Sequence, residues 1–281
     1  MQREFINSHG LKYTKQNQSI IVQILSYSKE NQQFTEEEIK KFVSITSNYL
    51  DDLEGAHNDN RLGELFDTLL VPIPHESLKD LTFYKFITKD TYDNYILKGK
   101  FQLGSLQFYR EIENKSARDE KEGYSNLIIR SGNRDIFTSI LSGFNFYIFC
   151  GTSTTNESKF MNENFGDITL QIPSIASFAN AVSKSIGAKR WHLYEVRYSD
   201  FKAYLVKQLI KKIEEENGDL SDEMFDCFYK ASFFPSLFVK PCRFNQEMEL
   251  RLAFEMPTNA KRVVNFDNIG LLGKIGIARN A

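Results

Sequence analysis

Residues 244–254 read Phe-Asn-Gln-Glu-Met-Glu-Leu-Arg-Leu-Ala-Phe. Side chains two apart on an extended chain share a face. The alternation therefore predicts a strand with Met248, Leu250, Leu252 and Phe254 on an apolar side and Glu247, Glu249 and Arg251 on the other. Two neighbouring carboxylates repel, so at least one needs a cation, a hydrogen bond or a proton. A strand with a solvated charged face is the plain reading of this pattern. A catalytic Glu-x-Glu pair is the alternative, and the rest of the chain has to separate the two.

The 281 residues allow one large domain or two modest ones. A formal net charge of -2 argues against a broad basic footprint for nucleic acid. Phe (24) and Tyr (13) are abundant, which predicts an aromatic-rich core. Cys150, Cys227 and Cys242 form no Cys-x-x-Cys pair, and His9, His57, His75 and His192 show no ligand spacing. Reduced thiols and no metal site are expected. No apolar run is long enough to span a membrane, and no signal-peptide core follows Met1-Gln2-Arg3-Glu4. The expectation is a soluble, cytoplasmic protein.

Along the chain, residues 1–75 read as a helical N-terminal region. Residues 19–27 suit helix or strand. Thr35 with Glu38 forms a capping box, opening a helix whose apolar face carries Ile39, Phe42, Val43, Ile45, Tyr49, Leu50 and Leu53. The segment Val71-Pro72-Ile73-Pro74 disfavours helix and marks a boundary. Beyond it the texture turns strand-rich: 81–88, 101–106, 127–130, 135–140, 144–150, 168–172, 192–198 and 263–266 are β-branched and aromatic. Asp90 is placed to cap a short helix stopped by Gly99, and Pro173-Ser174 to start another through Phe178, Val182 and Ile186. A long helix is expected after Ser199-Asp200, with Tyr204, Leu205, Leu209, Ile210 and Ile213 on its apolar side, and a shorter one over 224–234. The charged run 111–123 reads as a loop. Many short strands with helices between them make the fold class α+β, with a mixed or mostly antiparallel sheet.

The order of these features over 81–266 resembles the ADP-ribosyltransferase fold. The matching stretches are Phe83-Tyr84-Lys85-Phe86-Ile87-Thr88, Ile96-Leu97-Lys98-Gly99, Phe101-Gln102-Leu103-Gly104-Ser105, Cys150-Gly151-Thr152-Ser153-Thr154 and Glu247-Met248-Glu249. The chain also looks like a group of uncharacterised bacterial and phage-associated proteins. Those share Gly-Ser-Leu-x-Phe-Tyr-Arg (here Gly104 to Arg110), Asp-x-x-Glu-Gly (Asp119, Glu122, Gly123) and Gln-x-x-Glu-x-Arg (Gln246, Glu249, Arg251). The resemblance implies a catalytic domain over 76–281. It implies NAD as cofactor and transfer of ADP-ribose to a macromolecular acceptor, RNA, DNA or protein, by a bacterial toxin or phage-defence effector. Residues 1–75 lie outside it and are placed to bind the target, an antitoxin or a chaperone.

Breaking the nicotinamide–ribose bond builds positive charge on the ribose, as glycoside hydrolysis does. The resemblance gives Glu249 the developing oxocarbenium and the ribose hydroxyl, and gives Glu247 the attacking group or its proton. It implies Thr152 and Ser153 as the residues that hold Glu249, and Lys85 and Arg118 as those that neutralise the pyrophosphate. Lys85 stands where the family carries Arg or His, and it keeps the charge without the planar fork. Thr88 and Ser105 complete the cofactor contacts. Tyr84, Tyr109 or Tyr147 stacks on nicotinamide, and the loop 110–123 covers the site. Two rival readings stand beside this one. The first is a metal-dependent nuclease with Asp119, Glu120, Glu247 and Glu249 around magnesium. The second is a non-catalytic module of the same fold that binds a nucleotide or a partner.

Overall fold

A computed structural model describes residues 81–112, 118–131, 134–155, 158–205, 232–233 and 235–278. Nearer the N-terminus it describes 11–16, 19–25 and separate positions between 37 and 55. The strands in chain order are β1 (Leu11–Gln16), β2 (Ser19–Leu25), β3 (Phe83–Ile87), β4 (Lys100–Ser105), β5 (Tyr124–Ser131), β6 (Arg134–Leu141) and β7 (Phe146–Thr152). They continue with β8 (Ile168–Ile172), β9 (Arg190–Glu195), β10 (Arg197–Tyr198), β11 (Ala203–Leu205), β12 (Val239–Lys240), β13 (Glu249–Glu255), β14 (Val263–Asp267) and β15 (Gly276–Ile277). Helices whose bounds lie within the described residues include α1 (Lys89–Asn94), α2 (Leu106–Glu111), α3 (Ser158–Phe165) and α4 (Ile175–Ile186). Helices plus mostly antiparallel sheets make the fold α+β.

The chain forms two compact units, each built from three segments. The first takes Met1–Leu69, Lys121–Phe144 and Ser199–Pro241; the second takes Leu70–Glu120, Asn145–Tyr198 and Cys242–Ala281. Chain-order reasoning expects one boundary near residue 75. It does not register that 121–144 and 199–241 return to the first unit, because segment exchange leaves no mark in local composition.

The first unit holds a mixed five-stranded sheet in the order β1-β2-β6-β5-β11. β2 and β6 run parallel, β5 and β6 antiparallel, and β11 lies parallel to β5. The N-terminal region is therefore not helical throughout. The open choice over 19–27 resolves as strand over Ser19–Leu25. Glu37, Lys40, Lys41, Ser44, Ile45, Thr46 and Asn48 are helical, as the capping box implies, and so is Gly55. The other residues of that expected helix lie outside the described residues. The helix expected after Asp200 opens instead with β11, and its continuation from 206 lies outside the described residues, as does 224–231 of the shorter helix.

The second unit holds an antiparallel eight-stranded sheet. Its main path is β14-β4-β7-β3-β8-β15, and β13 pairs with both β7 and β9. β13 follows β7 along its whole length, from Glu249 opposite Thr152 to Glu255 opposite Phe146. β4 and β3 must therefore share the other edge of β7. β4 takes its start, with Gly104 opposite Ile148 and Ser105 opposite Tyr147. β3 takes its end, through Tyr84 opposite Thr152. Between them the sheet is split.

One apolar core lies beneath this sheet. Leu250, Leu252 and Phe254 of β13, Tyr147 and Phe149 of β7, and Phe83 of β3 pack against Phe178, Ala179 and Val182 of α4. The i, i+1, i+4 spacing on α4 is the helical pattern that buries one face. α4 ends at Gly187 in a left-handed conformation, φ 71°. Gly151 sits where β3 crosses β7: an added Cβ there would lie 2.3 Å from the Tyr84 carbonyl oxygen and 2.2 Å from the Phe83 ring. Only glycine lets the two backbones approach so closely.

Candidate active site

A cleft of about 670 Å³ opens at the split in the second unit's sheet. Its walls come from every element around the split. β3 and the start of α1 supply Lys85, Thr88 and Thr91; β4 supplies Gln102; α2 supplies Phe108 and Tyr109; β7 supplies Cys150 and Gly151; α3 and the following turn supply 161–166; and the entry to β13 supplies Glu247 and Glu249.

The Glu-x-Glu stretch is not one continuous strand. A 3-10 helix spans Cys242–Glu247, with the Met248 N–H on the Asn245 carbonyl at 3.2 Å. Met248 then takes a left-handed backbone, φ 40°, and β13 begins at Glu249. Met248 is 37% exposed rather than part of the apolar side. This corrects the expected face: Glu247 leaves the strand and reaches the cleft from the other side of a tight turn. A side chain with a Cβ is uncommon in this region, and such residues gather at functional sites.

The charged face of β13 is not solvated. Glu249 is 3% exposed, Glu247 6% and Arg251 1%. The Arg251 Nε donates to Glu249 Oε1 at 2.7 Å, and its Nη2 lies 3.5 Å from Oε2. The backbone around Glu249 is held as firmly. Its N–H donates to the Tyr198 hydroxyl at 2.8 Å, and its carbonyl accepts the Val196 N–H at 2.8 Å.

Lys85 is the residue of β3 that follows the Tyr84–Thr152 pair, where β3 leaves β7. It is half-buried, its ammonium donates to the Cys150 carbonyl at 2.8 Å, and it stands 4.6 Å from the centre of the Phe149 ring. Burial lowers its pKa from the ordinary lysine value of 10.5, while the charges of Cys150 and Glu249 oppose that shift. A desolvated amine in a cleft with two carboxylates is an adaptable anchor for an anionic group.

The remaining expected residues divide. Thr88 and Tyr109 line the cleft. Thr88 rather than Asp90 caps α1, accepting the Thr91 N–H at 3.2 Å. Thr152 is buried directly opposite Glu249 in the β7–β13 ladder, and its hydroxyl accepts the Thr154 N–H at 3.3 Å, so it supports the strand rather than lining the cleft. Ser153 is exposed and does not line the cleft. Ser105 caps α2, accepting the Phe108 N–H at 3.3 Å and donating to the Arg262 carbonyl at 3.0 Å. Arg118 pairs with Glu120 at 2.7 Å, away from the cleft lining. Tyr84 and Tyr147 do not line it either, and the Tyr147 hydroxyl accepts the Lys261 N–H at 2.9 Å.

Asp119 and Glu120 do not line the cleft that holds Glu247 and Glu249. Among the described residues, no group of three or more His, Cys, Asp or Glu is arranged to hold a metal ion. Sequence reasoning missed the wall made by α3, a helix of eight residues with no apolar periodicity long enough to announce it. It also missed Gln102 and Cys150 as lining residues. The strand alternation did place Arg251 on the side of Glu249. Among the described residues, no helix is long and apolar enough to cross a membrane. No protein-family model, curated protein or solved structure matches the chain.

Proposed function

We propose that this cleft binds NAD and that the chain transfers ADP-ribose from it to a macromolecular acceptor, protein or nucleic acid, with an ADP-ribosyltransferase-like fold in the second unit. The observation that carries this reading is the convergence of Glu249, Glu247, Lys85 and Tyr109 on one cleft at the split between β3 and β4. These residues lie up to 164 positions apart in sequence (249 less 85) and were expected together from the resemblance.

In this reading the bond between nicotinamide and the ribose C1′ breaks, and its electron pair leaves with nicotinamide. Glu249 faces the oxocarbenium that develops on the ribose, where a fixed negative charge lowers the barrier. A lone pair of the acceptor then bonds to C1′, and Glu247 takes the proton the acceptor loses. Lys85 meets a phosphate of the NAD diphosphate, and Tyr109 offers a ring face to a base. NAD supplies the activated glycosidic bond, and the chain binds and orients it. A cell-damaging activity of this kind fits a toxin or an anti-phage effector kept in check by an antitoxin or chaperone.

The test is incubation of purified protein, wild type and Glu249→Gln, with labelled NAD and cell lysate. Nicotinamide release is followed, and the labelled products are treated with nuclease or protease. The expected result is label on a macromolecule with wild type alone, and the digestion identifies the acceptor. Equal labelling by Glu249→Gln removes Glu249 from the mechanism. Binding of NAD without nicotinamide release turns the reading into a binding module.

A further inference from the structure

We infer that Arg251 is a positioning residue, holding the Glu249 carboxylate in the geometry the reaction needs. The inference rests on the NAD-cleaving reading of the cleft. A carboxylate helps a developing cation only if it stays charged and does not wander. A side chain with the reach of glutamate, removed from water, meets neither condition by itself, because burial favours the neutral acid.

Three features surround Glu249. Its N–H and carbonyl are tied to Tyr198 and Val196, which fixes where the side chain starts. Its carboxylate meets the Arg251 guanidinium at 2.7 Å, with both side chains almost without solvent contact, at 2% and 1% exposure. The pair is two residues apart on one strand, so the strand itself sets their separation. Arg251 lies opposite Cys150 in the β7 ladder and opposite Tyr194 in the β9 ladder, so strands flank it on both sides. A planar guanidinium, buried and facing both carboxylate oxygens, restricts the carboxylate in direction as well as in charge. Among the described residues, the titratable groups on elements packed against Glu249 include Lys85 on β3, Cys150 on β7, Tyr194 and Glu195 on β9, Tyr198 on β10 and Glu247 across the Met248 turn. Lys85 is a cation whose charge acts on Glu249, and it stands half-buried on another strand.

A purely structural arginine predicts loss of stability with catalysis per folded molecule unchanged. A positioning arginine predicts more. In Arg251→Met, kcat for nicotinamide release falls about 100-fold, the scale of a small misplacement of a catalytic group, while KM for NAD stays within about threefold. Its acid limb moves to higher pH, because Glu249 has lost its counter-charge. Arg251→Lys restores the charge without the fork, so it recovers the limb but only part of kcat. Loss confined to KM, or equal loss in both variants with no movement of the limb, overturns the inference.

Where Arg251→Met does not fold, Arg251→Lys carries the test: reduced kcat at unchanged KM supports positioning, and full activity overturns it. If the wild type releases no nicotinamide, the NAD reading fails on its own account. The ¹³C carboxyl titration of Glu249, assigned through Glu249→Gln, then decides for Arg251. A midpoint raised in Arg251→Met and restored in Arg251→Lys supports the clamp, and an unmoved midpoint overturns it.

Discussion

Replacing Gly151 by alanine tests the crossing that opens the cleft. The new Cβ would stand 2.3 Å from the Tyr84 carbonyl oxygen and 2.2 Å and 2.5 Å from two carbons of the Phe83 ring. Comfortable carbon contacts lie near 3.5–4.0 Å, so the overlap exceeds about 1 Å on two sides. The ring can turn only within a packed core, since Phe83 is fully buried and stacks on Phe149 with centroids 5.5 Å apart. The carbonyl belongs to the one β3–β7 pair, Tyr84 opposite Thr152. Relief therefore requires the two strands to part. Overpacking of this kind costs about 1–3 kcal/mol, and losing the strand contact places Gly151→Ala at the upper end, about 3 kcal/mol. For a chain of 281 residues that corresponds to a fall of about 5 °C in Tm. Gly273→Ala is the control, because a Cβ there meets nothing within 4 Å. Urea unfolding of both variants, read by tryptophan fluorescence and circular dichroism, gives the comparison. A loss below about 1 kcal/mol for Gly151→Ala, or one no larger than for Gly273→Ala, refutes the close crossing of β3 over β7.

Three further outcomes follow from the same geometry. Because Lys85 has a folded pKa below its unfolded value of 10.5, the unfolded chain holds the proton to higher pH. The stability of wild type relative to Lys85→Met should therefore rise as pH climbs from the lowered value toward 10.5, and affinity for NAD should fall over the same window; pH-dependent urea melts and NAD titrations read both, and a flat stability difference speaks against a desolvated amine. Met248→Ile puts a β-branched side chain at φ 40° and should lower stability by about 1–2 kcal/mol, with unchanged stability in a thermal melt counting against the left-handed turn. Ser105→Ala removes the α2 cap and should lower stability by about 1 kcal/mol without changing KM for NAD; a rise in KM would return Ser105 to the cofactor site.

The positions legible in the sequence are those whose place is set by neighbours a few residues away. Alternation placed Leu250, Leu252 and Phe254 on the core side and Glu249 with Arg251 on the other, and all five positions hold. The strands β5, β6, β8 and β14 and the helix α4 were legible for the same reason. Ser105 and Asp90 show where reading by pattern fails. Ser105 ends a strand, which suggests a ligand contact, but its hydroxyl serves the N-terminus of α2, six residues long and too short to show a period. Asp90 has the side chain of a cap, yet the chain turns earlier than it allows, and Thr88 takes the role. Glu247 lines the same cleft as Glu249, but from a different backbone than alternation implies: a 3-10 helix and a left-handed residue stand where strand is expected.

The sequence by itself determined which side chains of β13 share a face, where strands such as β5, β6, β8 and β14 fall, and that two carboxylates stand two residues apart at the entry to β13. Those properties depend on neighbours a few positions apart, through the two-residue period of extended chain and the hydrogen bonds of turns. Tertiary structure alone decided that the charged face of β13 is buried and that β3 and β4 diverge from one edge of β7. It also brought Lys85 and Tyr109 to a cleft with Glu247 and Glu249. Pairing between strands a hundred or more residues apart is set by which packing of the whole chain buries its apolar surface, and no local period records that choice.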